Sequence, residues 1–201
     1  MNSPTFLRVD KATFYKFISG PHEGRYEYEK GFIVQQMPGG TFAHHRIGAR
    51  AVRALGALLD PAKYDVLFEF GVETAGTVRF PDVAVLAVGS SPMAQATATP
   101  LIVIEVLSPS SVHLDVSIKS EEYTSLPSLE AYVVLSQHDP AALAWVRGSD
   151  RLFPASPTEY GVGGSIEVPA LGLAIALDDI YAGIELSPPE TPQGVPGRQP
   201  G

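Results

Sequence analysis

Between Pro100 and Ser108 the chain reads PLIVIEVLS, an almost unbroken apolar run that holds one charged side chain, Glu105. Such a run suits a strand buried on both faces, because a strand with one wet face would alternate apolar with polar residues. A polar, helix-capable stretch, LDVSIKSEEYTSL, follows, and then a second apolar run, AYVVLSQ. Strand, helix and strand in that order predict an α/β (α+β) chain whose sheet is covered on both faces by helices.

Glu105 does not belong in such a strand on hydrophobic grounds. Period-two alternation puts Leu101, Val103, Glu105 and Leu107 on one face and Ile102, Ile104 and Val106 on the other. A lone carboxylate stripped of water there costs several kcal/mol unless it protonates, pairs or binds a cation. If it stands unpaired in the metal-free protein, Glu105→Gln should preserve or raise stability.

A second carboxylate opens the preceding candidate strand, VRFPDVAVLAV, at Pro81-Asp82. If the two strands are neighbours, Asp82 and Glu105 lie side by side near one end of the sheet. Their repulsion is relieved by a shared proton or a divalent cation, and hard oxygen ligands favour magnesium or manganese. Lys119 falls on the intervening helical stretch with Asp115 four residues before it and Tyr123 four after it. A right-handed crossover would carry that amine over the carboxylates. By spacing alone, Asp115 and Lys119 also suit an exposed ion pair worth about 0.3–0.5 kcal/mol.

The rest of the chain frames this group. Asp10 can cap a short helix in KATFYKFIS, and RYEYEK with FIVQQM suits a hairpin turning at Gly31 and ending near Gly39 and Gly40. Thr41 can cap a longer helix that buries Ile47, Ala51, Ala54, Leu55 and Leu58 and stops at Asp60-Pro61. YDVLFEFGVET reads as one strand, with Glu69 and Glu73 on a solvent-facing edge, and AALAWVRG pairs with AYVVLSQ. SIEVPALGLAIAL and DDIYAGI suit an edge strand and a closing helix. Trp145, Tyr132, Phe14 and Phe17 are core or interface aromatics. Residues 1–186 are expected to form one domain, and 187–201, rich in Pro and Gly, a disordered tail.

Two hundred and one residues, 45% of them hydrophobic, suit one core rather than two. Without cysteine there are no disulfides or thiolate zinc sites, and with no apolar window of membrane-spanning length the expectation is a soluble cytoplasmic protein without membrane partners. The net charge of −8 makes generic polyanion binding unfavourable, so a nucleic-acid role needs a local basic patch. Arg46, Arg50 and Arg53 form a stripe on the long helix that suits either a solvated face or phosphate contact. His44 shares the apolar side of that helix and points at the sheet, whereas His45 does not. A core or capping histidine has the same pattern as one beside an active site.

PDVAV, IEVLSPSS, the Asp, Lys and Tyr of LDVSIKSEEY, the upstream RYEYEKG and the closing PALGLAIALDDIY together resemble the Uma-type restriction endonucleases of the PD-(D/E)XK nuclease superfamily, over residues 10 to 182. The resemblance implies a restriction-endonuclease-like fold, a mixed central sheet flanked by helices. It also implies divalent-metal-dependent hydrolysis of DNA phosphodiester bonds, and it allows the homodimer that a double-strand cut, needing two sites, leads us to expect. Carried over, Asp82 and Glu105 become metal ligands together with the Val106 carbonyl. Lys119 takes the lysine role, because Leu107 stands two residues after the acid. Glu27 matches an upstream glutamate that completes or orients the site, and His44 in TFAHHRI matches a family histidine. Ile118 and Lys30 depart from acidic residues common at those places. The displaced lysine and the acidic charge also suit an alternative, a nuclease-like fold that no longer cuts and serves as a nucleic-acid-binding or assembly module.

Overall fold

The computed structural model describes residues 8–36, 40–107 and 114–186, with only the backbone at 114 and 115. The proposed tail, 187–201, and Gly39 lie outside the described residues.

Helix α1, Lys11–Ile18, starts where the Asp10 carboxylate accepts the Thr13 N–H at 2.8 Å. Strands β1, Arg25–Glu29, and β2, Phe32–Gln36, form the expected antiparallel hairpin. Its two turn residues, Lys30 and Gly31, have φ of 47° and 100°, the left-handed pair that a two-residue hairpin turn needs. Helix α2, Phe42–Leu58, is capped by the Thr41 hydroxyl, which accepts the His44 N–H at 3.1 Å. Its buried stripe is Ile47, Gly48, Ala51 and Leu55. The expected Leu58 is instead 47% exposed, and Leu59, just past the helix, goes in.

Strands β3, Tyr64–Phe68, β4, Gly71–Glu73, β5, Thr77–Arg79, and β6, Val83–Ala87, follow. The two runs that read as single strands are each broken. Glu69, at φ 53°, turns the chain between β3 and β4, so Glu69 and Glu73 share no strand face. Phe80-Pro81 separates β5 from β6, since proline has no N–H to give a ladder. The short β7, Ala96–Thr97, precedes β8, Ile102–Leu107. Then come a π-helical turn, Leu114–Lys119, and α3, Ser120–Thr124. Strands β9, Ala131–Ser136, β10, Ala142–Val146, and β11, Thr158–Tyr160, complete the largest sheet. The stretch expected as an edge strand makes its own hairpin, β12, Ser165–Val168, and β13, Leu173–Ala176, around a 3-10 turn ending at Gly172, and α4, Leu177–Tyr181, closes the fold.

The central sheet has the order β11-β10-β9-β8-β6-β3, and β8 and β9 are its parallel pair. The second sheet, β2-β1-β5-β4-β7, is joined to it through the breaks at Glu69-Phe70 and Phe80-Pro81. On one face of the central sheet, Val83, Val85, Ile102, Ile104 and Val106 pack with Ile47, Ala51 and Leu55 of α2 and Ile180 of α4. On the other, Ala84, Val103, Tyr132 and Val134 pack with Tyr123, Leu126 and Leu129. Each buried Val, Leu or Ile among them stabilises the fold by about 1.5–3 kcal/mol. Tyr132 stacks on Trp145 with ring centroids 5.5 Å apart, and Phe14 is fully buried under the second sheet. Phe17 is half-buried at that sheet's edge, against Tyr26. No helix among the described residues is long and apolar enough to cross a membrane.

Candidate active site

Strands β6 and β8 are antiparallel neighbours, with Val83 opposite Ile104. Asp82 immediately precedes Val83 and Glu105 immediately follows Ile104, so both carboxylates stand at that end of the pairing, and both are buried. The Asp82 carboxylate is held from two sides: Oδ2 accepts the Val106 N–H at 2.7 Å, and Oδ1 lies 2.9 Å from Nε2 of His44. His44 thus reaches the site from the first turn of α2, while His45 points to solvent.

Glu105 is met from the other face. Its Oε1 accepts from Nζ of Lys119 at 2.8 Å and from the Tyr123 hydroxyl at 3.1 Å. The crossover from β8 to β9 returns over the sheet, so the last residue of the π-turn and the middle of α3 converge on one oxygen. Lys119 is 7% exposed, which rules out the solvated surface pair; the side chain of Asp115 lies outside the described residues. Burial, and then the charge of Glu105, hold the Tyr123 hydroxyl well above the ordinary tyrosine pKa. Tyr123 is therefore a neutral donor to an ionised acceptor.

Glu27 reaches the same region through a residue that sequence reasoning missed. Arg79, 1% exposed, donates from Nη1 to Oε2 of Glu27 at 2.8 Å. It also donates from Nε and Nη2 to the two oxygens of Glu122 at 2.9 and 3.0 Å. Desolvation works against its charge, but Glu122 and Glu27 outweigh it and raise the guanidinium pKa. Glu27 also accepts the Phe80 N–H at 3.4 Å. The available signal was Arg79 itself, a charge three residues before Asp82 in a chain segment otherwise apolar, TVRFPDVAV.

Among the described residues, Glu27 and Glu122 share the Arg79 guanidinium with Glu29 3.6 Å away, while Glu105 pairs with Lys119 and Asp82 with His44. Carboxylates are the hard donors that a divalent cation prefers. Among the described residues no group of three or more His, Asp or Glu side chains forms a metal cage. Two carboxylates and a backbone oxygen would suit an ion that keeps several waters, as magnesium does.

The arginine stripe divides. Arg46 donates to the Gly183 carbonyl at 3.0 Å and lies over the Phe42 ring, tying α2 to the end of α4. Arg50 is half-buried and Arg53 exposed further along the helix. Glu69 and Glu73 take structural partners: Arg25 at 2.8 Å for the first, Lys11 at 2.8 Å and Tyr15 at 2.6 Å for the second.

A family model described as Uma2, Putative restriction endonuclease, matches residues 12–177. No curated protein matches the sequence. Among solved structures, the crystal structure of a putative nuclease belonging to DUF820 from Anabaena variabilis is similar at a TM-score of 0.66 and 16% identity, covering 84% of this chain and 96% of that one. That likeness shows the fold, a mixed central sheet flanked by helices as in restriction endonucleases.

Proposed function

The chain belongs to the Uma2 family of putative restriction endonucleases, and on that premise we propose that it is a divalent-metal-dependent PD-(D/E)XK-type endonuclease that hydrolyses DNA phosphodiester bonds. The observation that carries the reading is the placement of Asp82 and Glu105 at one end of the β6–β8 pairing, with the Lys119 amine 2.8 Å from the glutamate. A magnesium or manganese ion held by Asp82, Glu105 and the Val106 carbonyl would supply a polarised phosphoryl oxygen and an acidified water.

The chain's own groups do the remaining work. Lys119 is a buried ammonium at the carboxylate pair, placed to orient an attacking water or to neutralise charge that builds on the phosphoryl group. His44 and the Val106 N–H fix both oxygens of Asp82, so that carboxylate needs no reordering when substrate arrives. Tyr123 fixes Glu105, and Arg79 with Glu27 and Glu122 anchors the helix that carries Lys119. Arg50 and Arg53 are the stripe residues left for DNA contact, since Arg46 serves the α2–α4 join. A double-strand cut would take two such chains as a homodimer, in the cytoplasm.

One observation favours a second reading, an inactive nuclease-like binding module: every carboxylate in the site already has a protein donor. Supercoiled and linear DNA incubated with the purified protein in magnesium, manganese or EDTA separates the two. The endonuclease reading expects metal-dependent cutting that Asp82→Ala and Glu105→Gln abolish. No cutting with either metal, or cutting undiminished in both variants, overturns it.

A further inference from the structure

On the α2 side of the sheet, at the carboxyl end of the parallel pair, lies a polar residue that the site does not use. Gln137 follows β9 directly and is 3% exposed. Its Oε1 takes the Thr41 hydroxyl proton at 2.7 Å, while the same hydroxyl oxygen accepts the His44 N–H. With its oxygen on the Thr41 hydroxyl, the amide has its nitrogen left as a donor. Among the described residues that nitrogen, Nε2, has no acceptor although it is buried. An unmet buried donor costs about 1–3 kcal/mol and calls for a ligand, a water or an ion.

The surroundings favour an anion. Gln137 is held against the cap of α2, a helix of 17 residues whose first N–H groups, at Phe42 and Ala43, have no intrahelical acceptor. The helix dipole adds positive potential at that end, which an acidic chain otherwise lacks. Crevices beyond the carboxyl ends of parallel strands are where α/β sheets take ligands. His44 joins the two places, with its backbone N–H on Thr41 and its ring on Asp82.

We propose that Gln137 Nε2 and the first-turn N–H groups of α2 form a subsite for a backbone phosphate of the nucleic acid, next to the one that meets Asp82 and Glu105. The assignment rests on the nuclease reading for its ligand, and on Gln137 and α2 for its place. It gives an acidic protein a neutral-donor grip on a polyanion, without a basic patch.

The test reads binding rather than cutting. The labelled full chain, in EDTA, is titrated separately with inorganic phosphate and with a short DNA duplex, following the Gln137 side-chain amide and the Phe42 and Ala43 amides by NMR. Saturable movement of all three with both ligands is expected. Gln137→Leu should weaken duplex binding about tenfold, the loss of one hydrogen bond to a charged group. Movement with phosphate but not with duplex would overturn the nucleic-acid assignment. No movement with either would overturn the subsite altogether and leave a bound water as the amide's partner. The wild-type titration decides the matter even if Gln137→Leu fails to fold. Cutting without movement sinks the subsite alone, and movement without cutting sinks the nuclease reading alone.

Discussion

Arg79 grips Glu122 with two parallel hydrogen bonds, 2.9 and 3.0 Å long, and so ties the strand that leads into Asp82 to the helix that carries Lys119 and Tyr123. Arg79 is buried and Glu122 partly so, and the buried Glu27 shares the same guanidinium. Removing one partner from such a group leaves charge without compensation, which costs about 3–5 kcal/mol. Arg79→Met should therefore lose stability on that scale in urea denaturation. Arg79→Lys keeps the charge but not the planar fork, and should fall between Arg79→Met and the parent protein.

For Glu105→Gln the ion pair with Lys119 reverses the expectation drawn from sequence. There, Glu105 was an unmatched charge whose removal should be harmless. With the Lys119 amine at 2.8 Å and buried, the substitution instead takes the charged partner out of a buried ion pair. The metal-free variant should be destabilised by about 3 kcal/mol, and Glu105→Gln combined with Lys119→Met should recover most of that loss. Thermal and urea unfolding in EDTA of the two single variants and the double one measure the coupling.

What was legible in the chain followed from local conflict. Asp82 and Glu105 each interrupt apolar strands, and a charge in that setting asks for a partner whatever the fold. Lys119 was found from helical spacing even though its turn is π rather than α, because a crossover over the sheet tolerates that change in phase. Arg79 carried the same signal as the carboxylates, a charge among apolar residues, but its pairing with Glu122 was not legible. Their strand and helix are three and five residues long, too short for periodicity to mark a buried face, and they meet only because the chain passes between sheets at Phe80-Pro81. The strand break at Glu69 was missed for a related reason: the left-handed turn there falls on a glutamate rather than a glycine. Gln137 reads only as the end of the run AYVVLSQ, because its partner, the cap of α2, is distant in sequence.

Stability above pH 10 should fall more steeply than ordinary tyrosines would allow. The hydroxyls of Tyr15, Tyr123 and Tyr181 are all raised above 10.0, chiefly by burial. A raised folded-state pKa means that, past the unfolded value, the unfolded chain releases protons that the folded one keeps. The stabilisation is thus complete below pH 10 and is lost as pH climbs toward the folded values. Alkaline unfolding should coincide with the appearance of tyrosinate absorbance. In Tyr123→Phe that limb should become shallower, while stability at neutral pH drops by about 1.5–3 kcal/mol, the worth of a hydrogen bond to a charged group.

Gly40 offers a way to move His44 without touching it. The glycine lies just before the cap of α2, and a Cβ there would stand 2.5 Å from Cδ2 and 2.7 Å from Cγ of the His44 ring. Those contacts are far inside van der Waals distance, so the ring has to swing away and leave its 2.9 Å contact with Asp82. Gly40→Ala should thus slow any metal-dependent cutting by about tenfold to a hundredfold, in step with a lost charge-assisted hydrogen bond of about 1.5–3 kcal/mol. The double variant with His44→Ala should be no slower than His44→Ala alone, because both changes remove the same contact. Rates that multiply instead would show that Gly40 acts through something other than the histidine.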